Sequence, residues 1–319
     1  MQKTSTIQSK AASVKDVSET GHPELNSDAK SPAVADKGEG ESLSQRAWRR
    51  LKKKKFVMAC FGVVFVYLLI TLLGYLNLLP DFQVRVGESY EPPSWSLAKI
   101  LGTDIFGRSV LYKILIGTQT AMTIGLAVTA ITIPIGLALG TLSGFYGGKV
   151  DSAVVFVYSV LASIPNILLF IGISYVLGKG IVSICIALGS VAWIGLCRLV
   201  RGEVLKHRNR EYVLAVKLLG AGDRTMMFHI LPNVFHLAII TASLTILTAI
   251  KSEVILTYLG VGIQDGSSWG TMIVDATGEL VNGIWWPLLG VTIAMFIIMY
   301  ALNVVGDALR DALDPKLVD

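Results

Sequence analysis

The sequence predicts an all-α, polytopic membrane protein with six transmembrane helices, and three observations carry that prediction. Hydrophobic residues make up 53% of the 319 positions and charged residues only 16%, with a mean hydropathy of +0.62. A soluble domain usually carries about 25% charged residues, and one core of this length cannot hide so much apolar surface. Next, the apolar residues fall into six long runs separated by polar stretches. Finally, the basic residues are distributed unevenly about those runs. An ordinary cytosolic enzyme, a disulfide scaffold and a disordered protein are thereby excluded.

Residues 1–45 contain no Phe, Trp or Tyr, and five Lys against seven acids give them a local charge of −2. Too little apolar area is present to offset ordering entropy, so a disordered tail is expected here and not a signal peptide. Seven of the 28 Lys and Arg then crowd between Arg46 and Lys55. A basic cluster directly before an apolar run is the cytoplasmic flank of a membrane helix. Phe56 to Leu79 is the first run, 24 residues long, where about 20 suffice to cross a bilayer core. A polar, extracytoplasmic segment follows at 80–117. The core of the protein is then expected at 118–319, with further spans at Thr118–Leu142, Val150–Leu177, Ile181–Cys197, Val234–Leu259 and Trp285–Val305.

Six spans put both termini on one side. With Arg46–Lys55 in the cytoplasm, seventeen Lys and Arg flank the spans on that side and five on the other. This is the positive-inside asymmetry, so both termini are expected in the cytoplasm. The net charge of +5 is thus a mark of topology and membrane lipid, not of a nucleic-acid partner. Cys60, Cys185 and Cys197 lie in apolar segments without metal or redox spacing and read as packing residues. Gly136, Gly140 and Gly144 recur every four residues on one helix face, which permits close helix approach. Pro134 and Pro165 are expected to bend their helices.

No phosphate-cradling G-x-x-x-x-G-K-[ST] string occurs, so the chain shows no ATP site of its own. Gly266–Gly270 satisfies G-x-S-x-G around Ser268, but it lies in an extracytoplasmic loop without a His, and a turn is expected there. Lys251 and Glu253 are charged groups near the outer end of the fifth span, where a charge faces a cavity or a partner or snorkels to the interface.

The polar stretch 198–233 carries seven Lys and Arg. Val204 to Leu219 reads as an amphipathic helix with Tyr212, Val213, Val216 and Leu219 at helical spacing, stopped by Gly220. A shorter helix around Arg224–Ile230 is expected to end before Pro232. Such a basic, partly apolar hairpin between spans is a plausible docking knob for a cytoplasmic partner.

The segment Glu211-Tyr212-Val213-Leu214-Ala215-Val216-Lys217-Leu218-Leu219-Gly220-Ala221, closing on Ile230, Leu231, Pro232 and Asn233, resembles the EAA loop of ABC importer permeases. More narrowly, the chain resembles the C-type subunit of the dipeptide/oligopeptide/nickel branch. Leu101-Gly102-Thr103-Asp104-Ile105-Phe106-Gly107-Arg108 is similar to its LGTDxxGR signature, and Gly144–Asp151 to its GYxGGxxD loop. Glu253–Gly262 with Ser268-Trp269-Gly270, and Gly306–Pro315, follow its remaining patterns. The chain departs from them at Ser109, at Val216 and at Gln264–Ser267, where a proline-rich run is usual.

The resemblance implies a type I ABC importer permease fold. It implies half of a translocation pore in the bacterial inner membrane, paired with a homologous B-type permease subunit. Two cytoplasmic ABC ATPase subunits would bind the ATP and Mg, with none on this chain, and an extracytoplasmic solute-binding protein would deliver a peptide-like substrate. Glu211, Tyr212, Ala215, Gly220, Ile230, Leu231 and Pro232 would form the ATPase-coupling loop. Gly102, Thr103, Asp104, Gly107, Arg108, Glu253, Ser268, Trp269 and Gly270 would shape the outer gate or meet the binding protein. The same scaffold also serves nickel chelates and glutathione-like solutes. A secondary transporter or channel is the rival from another class, and it leaves the hairpin unexplained.

Overall fold

A computed structural model of the protein describes residues 51–52, 54–264 and 266–313. The expected tail at 1–45, most of the basic cluster before Lys54, Asp265 and the Asp314-Pro315 end of the last motif lie outside the described residues. From Lys54 onward, among the described residues, nine α-helices follow in order: α1 (Lys55–Tyr75), α2 (Val110–Tyr146), α3 (Gly148–Ala162), α4 (Asn166–Leu177), α5 (Ile181–His207), α6 (Glu211–Leu218), α7 (Asp223–Tyr258), α8 (Trp269–Val281) and α9 (Trp286–Leu313). Among the described residues there is no strand, only isolated bridges pairing Arg85 with Arg108 and Thr103 with Ser109.

Among the described residues five helices, α1, α2, α5, α7 and α9, are long and apolar enough to cross a membrane, and the bent pair α3–α4 makes a sixth if counted as one span. That pair turns through 88°. Pro165 caps α4 without an amide to donate, and α3 closes on Ser163 one residue before the Ile164–Pro165 bond. Pro165 therefore breaks its span as expected. Pro134 and Pro232 do not: each lies inside an unbroken helix, of 37 and 36 residues. A membrane helix tolerates the single missing backbone donor when its neighbours hold the helix on both sides.

The tightest pair is α2 against α5. A β-carbon on Gly136 would stand 2.9 Å from Leu196, one on Gly140 2.8 Å from the Cys197 carbonyl, and one on Gly144 2.8 Å from Val204. The four-residue glycine spacing is therefore the groove into which α5 fits. Asp151, at the start of α3, clamps this pair: its two oxygens accept from Arg201 Nε and Nη2 at 2.6 and 2.7 Å, and Ser143 donates to the same carboxylate.

Trp269, fully buried, centres a core built from α2, α7, α8 and α9, with Met122, Ile250, Val291 and Ile298 around it. Tyr67 of α1 joins this core and donates to the Ala294 carbonyl at 2.8 Å. A separate cluster at the 208–222 hairpin packs Val213 and Ile230 on Val200 and Val204. Cys60, Cys185 and Cys197 are free and buried, as packing residues should be. Lys251 is exposed on α7, whereas Glu253, two residues on, is fully buried.

Candidate functional site

The hairpin differs in detail from its sequence reading. α5 runs to His207, the chain turns through Arg208–Arg210, and α6 begins at Glu211, so Val204–Leu219 is two helices and not one. The second helix does not stop before Pro232 but continues as α7. Glu211 lies in the first turn of α6 and Lys217 in the last, each complementing the helix dipole. Gly220 has φ +82°, the left-handed region that lets the chain reverse without a β-carbon penalty.

One side of the hairpin is pinned. Val213 and Ile230 are buried, the Tyr212 hydroxyl pairs with His207 Nδ1 at 2.9 Å, and Asn233 Nδ2 donates to it at 3.3 Å. Burial pushes the Tyr212 phenol above its ordinary pKa, while the Asn233 bond pulls the other way. The other side is bare. Glu211, Ala215, Gly220 and Pro232 are exposed, Leu231 is half-buried, and Leu218 and Leu219 at the tip are 89% and 86% exposed. Leu219 was expected on the packed face with Val213; the short α6 ends before its register brings it back to α7. The pair Leu218-Leu219 was missed as a site, although two leucines directly before a turn glycine are a legible signal.

At the opposite end, the LGTDxxGR residues fold into a clamp. Gly102 and Gly107 both have left-handed φ, +73° and +71°. Thr103 Oγ1 donates to the Glu88 carbonyl at 2.7 Å and accepts from the Glu91 amide at 2.8 Å. Asp104, 2% exposed, accepts at Oδ1 from the amides of Phe106 and Arg108, both at 2.9 Å. Its Oδ2 accepts from Arg108 Nε at 2.8 Å and Lys113 Nζ at 3.2 Å. Burial alone would raise the Asp104 pKa, but the Arg108 amide, Lys113 and the Arg108 guanidinium together hold it below the ordinary carboxylate value. Lys113 also reaches Asp275 of α8 at 3.7 Å. The clamp thus ties the 85–109 segment to α2 and α8.

The Ser-Trp-Gly residues complete the same end. Ser268 is buried and caps α8, its Oγ accepting from the Thr271 amide at 3.1 Å; this is the expected turn role and leaves no exposed nucleophile. Trp269 donates to the Ile114 carbonyl at 3.3 Å and fills the space over Gly117. Gly270 sits where a β-carbon would stand 3.2 Å from Glu253 Oε1. That oxygen accepts from Thr257 Oγ1 at 3.0 Å, whereas Oε2 is buried without a hydrogen-bond partner among the described residues. The clamp therefore brings Gly102, Thr103, Asp104, Gly107 and Arg108 together, and Glu253 gathers with Ser268, Trp269 and Gly270. Nearly all of these side chains face inward.

Between the two ends a half-open cleft of about 640 Å³ runs along α4, α5 and α7, with Asn166, Arg198, Thr248 and Ser252 as its polar lining. None of these was singled out from sequence, because single polar residues on apolar helices carry no local pattern. Such an assembly offers a helical wall, a surface knob and a clamped opposite end. It presents the parts of a subunit that lines a path across a membrane.

The chain is matched over residues 133–319 by the family described as binding-protein-dependent transport system inner membrane component. Residues 42–93 match the N-terminal transmembrane domain of oligopeptide transport permease C. It is 36% identical over 299 residues to the dipeptide transport system permease protein DppC of Bacillus subtilis, covering 92% of each chain. It is 35% identical to the oligopeptide transport system permease protein OppC of the same organism, covering 90% of this chain and 96% of that one. A di/tripeptide transport system permease of Pseudomonas aeruginosa is 36% identical over 71% of this chain and 76% of its own. The chain belongs to the family of binding-protein-dependent inner membrane transport components, and it is a multi-pass permease subunit.

Proposed function

We propose that this chain is one half of the pore of an ATP-driven importer of di- and oligopeptides, with both termini and the 208–222 hairpin in the cytoplasm. The observation that carries the coupling part is the hairpin tip. Leu218 and Leu219 stand free on a short helix whose opposite side is pinned by Tyr212 and Val213. Burying two leucines against a partner yields roughly 1.5–3 kcal/mol each, and Glu211 and Lys217 supply polar contacts at the rim. An ATPase subunit seated there would pull on α5 and α7 together, because both helices enter the hairpin. Two such ATPases would hold the ATP and Mg. A B-type permease would supply the other pore wall, and an extracytoplasmic binding protein would deliver the peptide.

At the opposite end, inward-facing Asp104, Glu253 and Trp269 support a role in shaping the outer gate, and exposed Ile105 and Phe106 offer the surface a binding protein could touch. The peptide substrate rests on the likeness to dipeptide, di/tripeptide and oligopeptide permeases.

The test is Gly220→Asp in the complete transporter. The expected result is normal membrane abundance with peptide uptake and peptide-stimulated ATP hydrolysis both lost, because a carboxylate beside Leu218 and Leu219 would have to be desolvated when the tip is seated, and any β-carbon at φ +82° adds strain to the turn. Normal uptake at normal abundance overturns the coupling assignment.

A further inference from the structure

The cleft along α4, α5 and α7 holds a charge that no acidic side chain among the described residues neutralises. Its volume, about 640 Å³, lies within the roughly 300–1,000 Å³ range of small-molecule sites. Its walls are mostly apolar, and Arg198 is the one charged residue in its lining. Arg198 lies roughly 26 Å along α5 from Ile181, at about 1.5 Å per residue, which places it toward the hairpin end.

Two arginines on this stretch of α5 meet opposite fates. Arg201 is taken by Asp151 in a two-pronged salt bridge. Arg198 makes no salt bridge among the described residues; its guanidinium lies over the Tyr158 ring at 4.6 Å. The ring fixes the position of the guanidinium without cancelling its charge. Arg198 is exposed to the cleft, so whatever crosses the cleft meets an oriented, uncompensated cation. Flanked by apolar walls, that charge is felt more strongly than it would be in bulk water. Asn166, Thr248 and Ser252 along the same walls add hydrogen-bonding groups but no charge.

We propose that Arg198 sets the charge preference of the translocation path, favouring peptides that bring a carboxylate and disfavouring those that bring an extra cation. The proposal rests on the peptide-import reading and adds to it a residue that selects among peptides.

The experiment uses the complete transporter in proteoliposomes, with its own binding protein, and three dipeptides of similar size: Ala-Glu, Ala-Gln and Ala-Lys. Maximal uptake rates are measured for the wild type, Arg198→Lys, Arg198→Gln and Arg198→Glu. The binding protein is the same throughout, so its own preferences cancel when the Ala-Glu to Ala-Lys ratio is compared between variants. Arg198→Lys is expected to keep the wild-type ratio. Arg198→Gln should lower it on the order of tenfold, and Arg198→Glu should lower it further. A ratio unchanged across all four proteins, whether or not total uptake falls, overturns the proposal. A wild type that moves none of the three dipeptides while importing another solute refutes the peptide reading instead. The same ratio, taken on anionic and cationic members of that solute class, then decides on Arg198.

Discussion

Replacing Gly140 by Ala tests the packing on which the whole helical wall depends. The new β-carbon would lie 2.8 Å from both the Cys197 carbonyl oxygen and Val200 Cβ, against an ordinary carbon contact of about 3.5–4.0 Å. The first of these neighbours is backbone, so relief requires α5 itself to move, and α5 is also held by the Asp151–Arg201 bridge. Overpacking of this kind costs about 1–3 kcal/mol. Alanine returns up to about 1 kcal/mol through its better helix propensity. With the full propensity gain returned, the net expectation is a loss of up to about 2 kcal/mol. Gly62→Ala on α1 is the matched control, since a β-carbon there meets nothing within 4 Å and only the propensity gain remains. Thermal unfolding of the purified complex in detergent should therefore separate the two variants in opposite directions. At about 2–4 °C per kcal/mol, Gly140→Ala should melt up to several degrees below wild type and Gly62→Ala at or above it. If both variants shift upward together, α2 and α5 are not in the close contact described, and the reasoning fails.

Three further outcomes follow from the opposite end of the molecule. Lys113→Met removes one of the two cations facing buried Asp104 and should destabilise by about 3 kcal/mol, the lower end for a broken buried pair because Arg108 remains. Faster proteolysis within 80–109 would report it. Asp104 has a folded pKa below its ordinary value, so its contribution is complete above that ordinary value and is lost as pH falls through the lowered one. Hydrogen exchange of the Phe106 and Arg108 amides should be pH-independent, after correction for intrinsic rates, from neutral to about pH 5, and protection should fall below about pH 4; Asp104→Asn should abolish that acid limb. Glu253→Gln puts a buried amide where Oε2 already lacks a hydrogen-bond partner among the described residues and costs about 1–3 kcal/mol for its unpaired donors. Uptake should slow without loss of the protein from the membrane, and unchanged kinetics would remove Glu253 from the outer gate.

The spans were legible because a membrane helix satisfies its backbone internally and shows its side chains to lipid, so composition over about 20 residues is enough to mark it. The glycine face of α2 was legible for a related reason: a four-residue repeat of the smallest side chain is a local pattern with one packing use. Helix ends were less readable. Pro165 breaks its span while Pro134 and Pro232 do not, although the local chemistry of the three is the same. Which proline breaks its helix is thus a tertiary outcome that no string of adjacent residues records. The EAA-like loop was visible as a motif, but its division into a pinned side and a bare tip depends on where α7 passes, and this is why Leu219 was placed on the wrong face.

What the sequence determined by itself is the membrane class, the spans and the family. Those properties are written in local composition and in strings of adjacent residues, which need no knowledge of distant contacts. Only the tertiary structure decided which charges are spent and which are available. Asp104 is enclosed by Arg108 and Lys113, Arg201 is claimed by Asp151 from 50 positions away, and Arg198, one turn earlier, is left facing the cleft. The two arginines look alike in sequence and lie about one turn apart on the same side of α5, but pairing is a matter of distance in space: Arg201 comes level with Asp151 of α3, whereas Arg198 comes level with the Tyr158 ring of the same helix.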